Sequence, residues 1–384
     1  MKVAVLGYGT VGAGVYSMLS DAPGMEAGPA LVRPGKSVES FMVSDAALIF
    51  GDPTVDAVVE TLGGLDPAYS YGMRALEAGK HFITANKAMV AAHGLELAAL
   101  AREKGAAFLF SAACGGGVPF LHNLALSAET DRIEAVSGIL NGTTNYMLDA
   151  MQRRSLSYGD ALREAQSLGY AESDPTADVS GLDALRKMQL ACAVAFGVLP
   201  QSGMLCEGME HFTAADVEDI QSRGLVCRLM ARGSRAGESV SAYVEPVLFP
   251  RAAPESSVFT NNNMARYTGK RCGSIVLMGQ GAGRFPTASA VLRDLSAAQQ
   301  GARSMFPENC RAAEADNREA VHSYYIRTGG FAAVRLPLRS VLAQGEVVRA
   351  VTEPMSSEKM HALAQNIRKD GNDLFFAALE EELC

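Results

Sequence analysis

Apolar residues follow one rhythm up to about residue 118 and another beyond it. In the first part, short unbroken apolar runs alternate with stretches of helical spacing. Lys2–Leu6 (KVAVL), Ala30–Val32, Val55–Glu60 (VDAVVE), His81–Thr84 and Phe108–Phe110 read as strands. Ala13–Leu19 and Tyr71–Ala78, the latter stopped by Gly79, read as helices. Unbroken apolar runs suit strands covered on both faces. Their alternation with helices predicts a doubly wound parallel sheet, whose ligands gather at the strand C-termini.

From Pro119 the pattern becomes mixed. Phe120–Ala128 reads as a helix and Ile133–Gly138 as a strand. A polar turn, Leu140–Asn145, leads to a helix from Tyr146, with Thr144 or Asn145 as its N-cap. An amphipathic helix follows Gly181. Towards the C-terminus, Met305–Asn317 reads as a connection, His322–Arg327, Gly345–Val351 and Leu374–Ala378 as strands, and Ser357–Asn366 as a helix.

Composition narrows the function classes. The 384 residues carry a net charge of −8 and no basic run, which argues against nucleic acid or an anionic membrane as partner. The longest apolar stretch, Leu190–Leu199, is too short to span a bilayer. Seven scattered cysteines, without a CxxC pair, fit reduced thiols in the cytoplasm. The six histidines stand apart, which disfavours a zinc-assisted oxidation.

The chemistry begins at Gly7-Tyr8-Gly9-Thr10-Val11-Gly12, a GxGxxG between a strand and a helix. Gly7 permits the tight turn, Gly9 the approach of a pyrophosphate, and Gly12 close helix packing. The second strand ends in Arg33 rather than an acid, with Lys36 nearby. An arginine there can accept a 2′-phosphate, which favours NADP over NAD; otherwise it is a solvated loop residue. Lys87 follows another strand end and is placed to meet cofactor or substrate, unless it merely starts a surface helix. Gly63, at the end of Val55–Glu60, joins the residues expected to line the cofactor.

Further along, four carboxylates fall within Glu172–Asp183, ahead of a helix carrying Arg186 and Lys187. Asp183 and Lys187 are i and i+4, on one helix face. The pair could be a surface ion pair, but Leu182, Leu185, Met188 and Leu190 around it speak for burial. A lysine held by an aspartate can protonate a carbonyl oxygen as hydride arrives, or remove the hydroxyl proton in reverse. Glu172 is then free to hold an ammonium group, so an amino-acid alcohol or aldehyde is the expected substrate. The small residues Asn141, Gly142 and Thr143 suit gripping a polar ligand, or simply capping the next helix. Two rival readings are a semialdehyde dehydrogenase with Cys114 as nucleophile and a catalytically silent NADP-binding sensor.

Three long segments carry a family resemblance: Ser137–Asn145 (SGILNGTTN), Gly169–Lys187, and Gly279–Gly283 (GQGAG) with Pro286–Val291 (PTASAV). Over about residues 2–295 the chain resembles homoserine dehydrogenase. The resemblance implies NAD(P)H-dependent interconversion of aspartate 4-semialdehyde and homoserine, in threonine and methionine biosynthesis. It implies Lys187 as proton donor, Lys87 facing it, Asp183 orienting the substrate, Glu172 on the amino group, and Tyr170 and Asp178 lining the pocket. Gly283 joins the cofactor residues. The implied architecture is α/β: a Rossmann-type NAD(P)-binding domain over 1–118 completed by 279–300, and an α+β catalytic and dimerisation domain over 119–278. A linker at 301–321 and a small ACT-like α/β module at 322–384 follow, the latter a candidate amino-acid effector site. A homodimer or higher homo-oligomer is implied, as is a monovalent cation, Na or K, on the backbone carbonyls of Cys114, Gly116 and Val118. There the chain departs from the family, because Ser111 stands where a Glu is usual. It departs again in the tail, where Thr328–Phe331 replaces the Asp-x-Pro-Gly-like turn of an ACT domain.

Overall fold

The computed structural model describes residues 1–36 and 39–380, apart from the side chain of Phe331. Two compact units result. One comprises Met1–Ile133, Gln189–Leu199 and Gly279–Arg311; the other comprises Glu134–Met188, Pro200–Met278 and the residues from Ala312.

The first unit holds a six-stranded sheet. Its order is Met42–Val43, Glu26–Leu31, Lys2–Leu6, Ala57–Glu60, His81–Thr84 and Phe108–Leu109. All neighbours are parallel. Strand order reverses between Lys2–Leu6 and Ala57–Glu60, leaving a crevice beyond their C-terminal ends. Val3 to Leu6 and Ala57 to Val59 are wholly buried, as strands covered on both faces must be. Helices Thr10–Leu19, Ala68–Glu77 and Lys87–Lys104 make the crossovers. The last ends at Gly105, whose φ of 65° lets its N–H close on the carbonyls of Ala101 and Arg102. Helix Arg284–Gln299 returns to this unit and lies against the first helix, where a Cβ on Gly14 would sit 2.9 Å from the Arg284 carbonyl oxygen.

The second unit is built on a ten-stranded sheet. Nine strands follow in the order Gly273–Gln280, Asn262–Gly269, Ile133–Ile139, Leu225–Ala236, Ser239–Pro250, Leu374–Leu379, Tyr324–Gly329, Val347–Thr352 and Leu338–Ala343. The tenth, Leu205–Cys206, pairs with Ser239–Pro250 at Tyr243 and Val244.

The C-terminal elements follow a strand-helix-strand-strand-helix-strand path, in the spatial order fourth, first, third, second. This is the ferredoxin-like plan. Its fourth strand pairs with the long hairpin at Val247–Ala378 and Leu248–Leu379. Val247 and Phe249 share one buried cluster with Tyr324, Ile326 and Phe376. The tail from Ala312 lies within the second unit and extends its sheet. Pairing between strands over a hundred residues apart leaves no local trace in the sequence.

A second difference concerns the polar turn. Asn141, rather than Thr144 or Asn145, caps the following helix: its Oδ1 accepts the Thr144 N–H at 2.8 Å, and the helix spans Gly142–Arg154. Asn145 sits inside the first turn, where its amide donates to the carbonyls of Val258, Thr260 and Asn262 at 3.0–3.1 Å.

Candidate active site

In the first unit, a cavity of about 440 Å³ lies at the strand-order reversal. Gly7 and Gly9 line it together with Arg33, Lys36, Thr61 and Leu62. Gly7 has φ 94°, a conformation only glycine adopts readily, and a Cβ on Gly12 would fall 2.0 Å from the Gly7 carbonyl oxygen. Gly9 has nothing within 4 Å of where its Cβ would be, so the backbone stands open there. Gly9 also caps helix Thr10–Leu19 without a side-chain hydrogen bond, leaving the first-turn N–H groups of Thr10, Val11 and Gly12 to meet an anion. These features fit a dinucleotide pyrophosphate, with Arg33 and Lys36 bordering the same cavity.

Glu60 carries a role that sequence reasoning missed. It is wholly buried at the end of its strand and accepts from Leu62 N (2.6 Å), Gly63 N (3.2 Å) and Thr84 Oγ1 (2.5 Å). Burial raises its pKa against those hydrogen bonds. Glu60 thus shapes the turn presenting Gly63, which has φ 77°. A carboxylate ending an otherwise apolar run was the available signal. Beside it, Asn86 donates to the Gly64 carbonyl at 2.6 Å and caps the helix that Lys87 opens. Gly283, with φ 122°, caps the returning helix Arg284–Gln299.

The second unit gathers most of the acidic and polar candidates. Lys187 is buried, with Nζ 2.7 Å from Asp183 Oδ2 and donating to the Leu140 carbonyl at 2.6 Å. Asn141 Nδ2 donates to Asp178 Oδ1 (2.7 Å) and Asp183 Oδ2 (3.0 Å). The Thr143 hydroxyl reaches the Tyr170 carbonyl at 2.6 Å and Asp178 Oδ2 at 3.2 Å. Burial, with the like charge of Asp183 behind it, raises the Asp178 pKa against its hydrogen bonds. Gly142 lies where a Cβ would come 2.7 Å from the Asn261 carbonyl oxygen, so its lack of a side chain serves close packing. The Tyr170 ring meets Tyr146 edge-on, with centroids 5.1 Å apart. Glu172 stands apart from this network. Its side chain is exposed, and among the described residues its backbone carbonyl is engaged by Gln166 at 3.1 Å.

The expected cation loop is differently furnished. The Ser111 N–H donates to Asp294 Oδ2 at 2.8 Å, and its hydroxyl points to Met305 Sδ at 3.8 Å. The Val118 carbonyl already accepts the Phe120 N–H at 2.7 Å. A Cβ on Gly116 would fall 2.4 Å from the Gly281 oxygen. Cys114, Gly116 and Val118 thus present carbonyls in a crowded turn with no carboxylate from position 111, a poor fit to a monovalent-cation site. Among the described residues, no group of three or more His, Cys, Asp or Glu side chains could hold a metal ion. Nor, among them, is any helix long and apolar enough to cross a membrane.

A dinucleotide crevice in one unit and a buried lysine–aspartate pair in the other define an oxidoreductase working with a nicotinamide cofactor. Comparison with known proteins narrows the class. The family described as homoserine dehydrogenase matches residues 119–296, and that described as homoserine dehydrogenase, NAD binding domain, matches residues 7–111. The homoserine dehydrogenase of Corynebacterium glutamicum is 38% identical over 313 residues, covering 76% of this chain and 70% of that protein. The Synechocystis homoserine dehydrogenase is 37% identical, covering 77% and 72%. A crystal structure of a homoserine dehydrogenase from Thiobacillus denitrificans superposes with a TM-score of 0.87 at 29% identity, over 99% of this chain and 98% of that one. The chain belongs to the homoserine dehydrogenase family. The rival readings find no such support, and Cys114, fully buried, is no accessible nucleophile.

Proposed function

We propose that this chain interconverts L-homoserine and L-aspartate 4-semialdehyde, with NADP preferred over NAD and Lys187 as the proton-transfer group. The buried contact of Lys187 Nζ with Asp183 at 2.7 Å carries the reading. A bound nicotinamide supplies or accepts the hydride at C4 of the amino acid. In the reducing direction the carbonyl oxygen gains negative charge, and Lys187 gives it a proton; in the oxidising direction Lys187 takes the hydroxyl proton. Asp183 and the Leu140 carbonyl fix the direction of the Nζ hydrogens. Asp178, Asn141 and Thr143 form the polar wall beside them, with Gly142 and Tyr170 adjoining. Glu172, exposed and not ion-paired among the described residues, is assigned to the substrate ammonium, and Lys87 is assigned as a second catalytic lysine.

NADP preference rests on Arg33 and Lys36 bordering the dinucleotide cavity where an NAD enzyme carries an acid. The assembly is assigned as a homodimer or larger homo-oligomer, and the C-terminal elements as an ACT-like module open to an amino-acid effector. No disulfide joins the described cysteines, which suits a reducing, cytoplasmic setting; Cys384 lies outside the described residues.

The decisive experiment is Lys187→Ala. Homoserine oxidation is expected to fall by ~10²-fold or more while NADP binding persists. Turnover close to wild type would refute the assignment.

A further inference from the structure

The segment Leu205–Met209 presses on both elements that carry the substrate-site acids. A Cβ on Gly208 would lie 2.2 Å from the Val179 carbonyl oxygen and 2.6 Å from Ser180 Cα, so backbone touches backbone at the end of helix Thr176–Val179, which holds Asp178. The Met209 N–H donates to that Val179 carbonyl at 2.9 Å, and the Cys206 thiol donates to the Ser180 carbonyl at 3.0 Å. Gly181, with φ 82°, turns the chain into helix Leu182–Phe196, which holds Asp183 and Lys187. Its Cβ position is 3.1 Å from Cys206 Sγ. The angle between the two acid-bearing helices is thus set against this segment.

The segment is anchored in turn by the C-terminal helix Ser357–Lys369. Arg368 grips Glu207 with both guanidinium ends, at 2.9 and 2.6 Å. It also donates to the Leu374 carbonyl at 3.2 and 2.7 Å, closing the turn into the last strand. Glu207 is buried, and its own N–H is held by the Val244 carbonyl at 2.8 Å. A bidentate arginine–carboxylate pair fixes direction as well as distance.

We infer that Arg368, through Glu207, is a positioning residue for substrate binding: the tail sets the spacing of Asp178 from Asp183 and Lys187. This rests on the assignment of those three residues to the substrate site. Arg368 does not line the dinucleotide cavity, so its loss acts on homoserine affinity rather than on cofactor affinity.

The test uses the full chain with Arg368→Ala, Arg368→Lys, Glu207→Gln and the Arg368→Ala/Glu207→Gln pair. Homoserine KM, NADP KM, kcat and melting temperature are measured for each. Arg368→Ala and Glu207→Gln are each expected to raise homoserine KM about tenfold, with NADP KM within about twofold. Arg368→Lys should fall between, and the double variant should be no worse than the worse single one, because both break one pair. A lowered melting temperature with homoserine KM within about twofold of wild type would overturn the inference, since a purely structural latch behaves that way. If Arg368→Ala does not fold, Arg368→Lys and Glu207→Gln decide by the same criterion. Lys187→Ala, measured alongside, separates two failures. Wild-type turnover there removes the site assignment and this inference with it; lost turnover there, with unmoved homoserine KM in the Arg368 variants, overturns this inference alone.

Discussion

Asn141 Nδ2 lies 3.0 Å from Asp183 Oδ2, joining the residue that caps one helix to the second residue of another. The same nitrogen donates to Asp178 at 2.7 Å, so one amide holds two carboxylates in register while its oxygen caps helix Gly142–Arg154. The two duties can be separated. Asn141→Ala loses both, and the missing cap should cost ~0.5–2 kcal/mol of stability. Asn141→Asp keeps an acceptor for the Thr144 N–H but sets a third carboxylate against Asp178 and Asp183. Both variants should lower kcat/KM for homoserine by ~10-fold or more, with only the alanine variant losing the cap. An aspartate variant with wild-type kcat/KM would show that the amide bridge is dispensable.

Arg33 and Lys36 border the cavity that Gly7 and Gly9 open. Arg33→Ala should raise the KM for NADPH by ~10-fold, the worth of one or two charge-assisted hydrogen bonds, and leave that for NADH nearly unchanged. Steady-state kinetics with the two cofactors checks this. Equal effects on both would mean that Arg33 does not read the 2′-phosphate.

Asp294 is buried beneath the Ser111 turn, and burial lifts its pKa from 3.8 to about 7, against the Ser111 N–H bond and the nearby Arg293 charge. A carboxyl whose folded pKa exceeds its unfolded value holds its proton longer in the folded state. Between about pH 4 and 7 the unfolded chain therefore binds fewer protons, and stability declines as pH rises through that window. Asp294→Asn keeps an oxygen for Ser111 without the titration. Relative to wild type, the variant should gain unfolding free energy between pH 5 and pH 8, on the order of a few kcal/mol at most, seen as a rise in its relative melting temperature. Parallel melting curves at the two pH values test it; a difference that does not grow with pH would show that Asp294 does not titrate in this range.

The first unit was legible because its signals are local. An unbroken apolar run such as Val3–Leu6 reports burial directly, and Gly7–Gly12 carries its turn geometry in its residue types. In the second unit, i,i+4 spacing correctly paired Asp183 with Lys187. Most of what escaped depends on distance along the chain. Asn141 as bridge needs Asp178 and Asp183, some forty residues on, to be seen, whereas its cap on Thr144 is local and was assigned three or four residues too late. The work of Glu60 depends on Thr84 from the neighbouring strand. The tail's strands and helix were read mostly in place, but their attachment to Val247 and Leu248 has no local signature.

The pairing of Leu374–Leu379 with Ser239–Pro250 bears on how this enzyme can be cut or rebuilt. A cut ahead of the tail would strip the hairpin of its neighbour at Val247 and Leu248 and bare an apolar edge, a template for aggregation. A chimera carrying a different C-terminal segment would have to bring a strand of matching register, or keep this one. The tail and the rest of the second unit are therefore expected to fold, and to be exchanged, together.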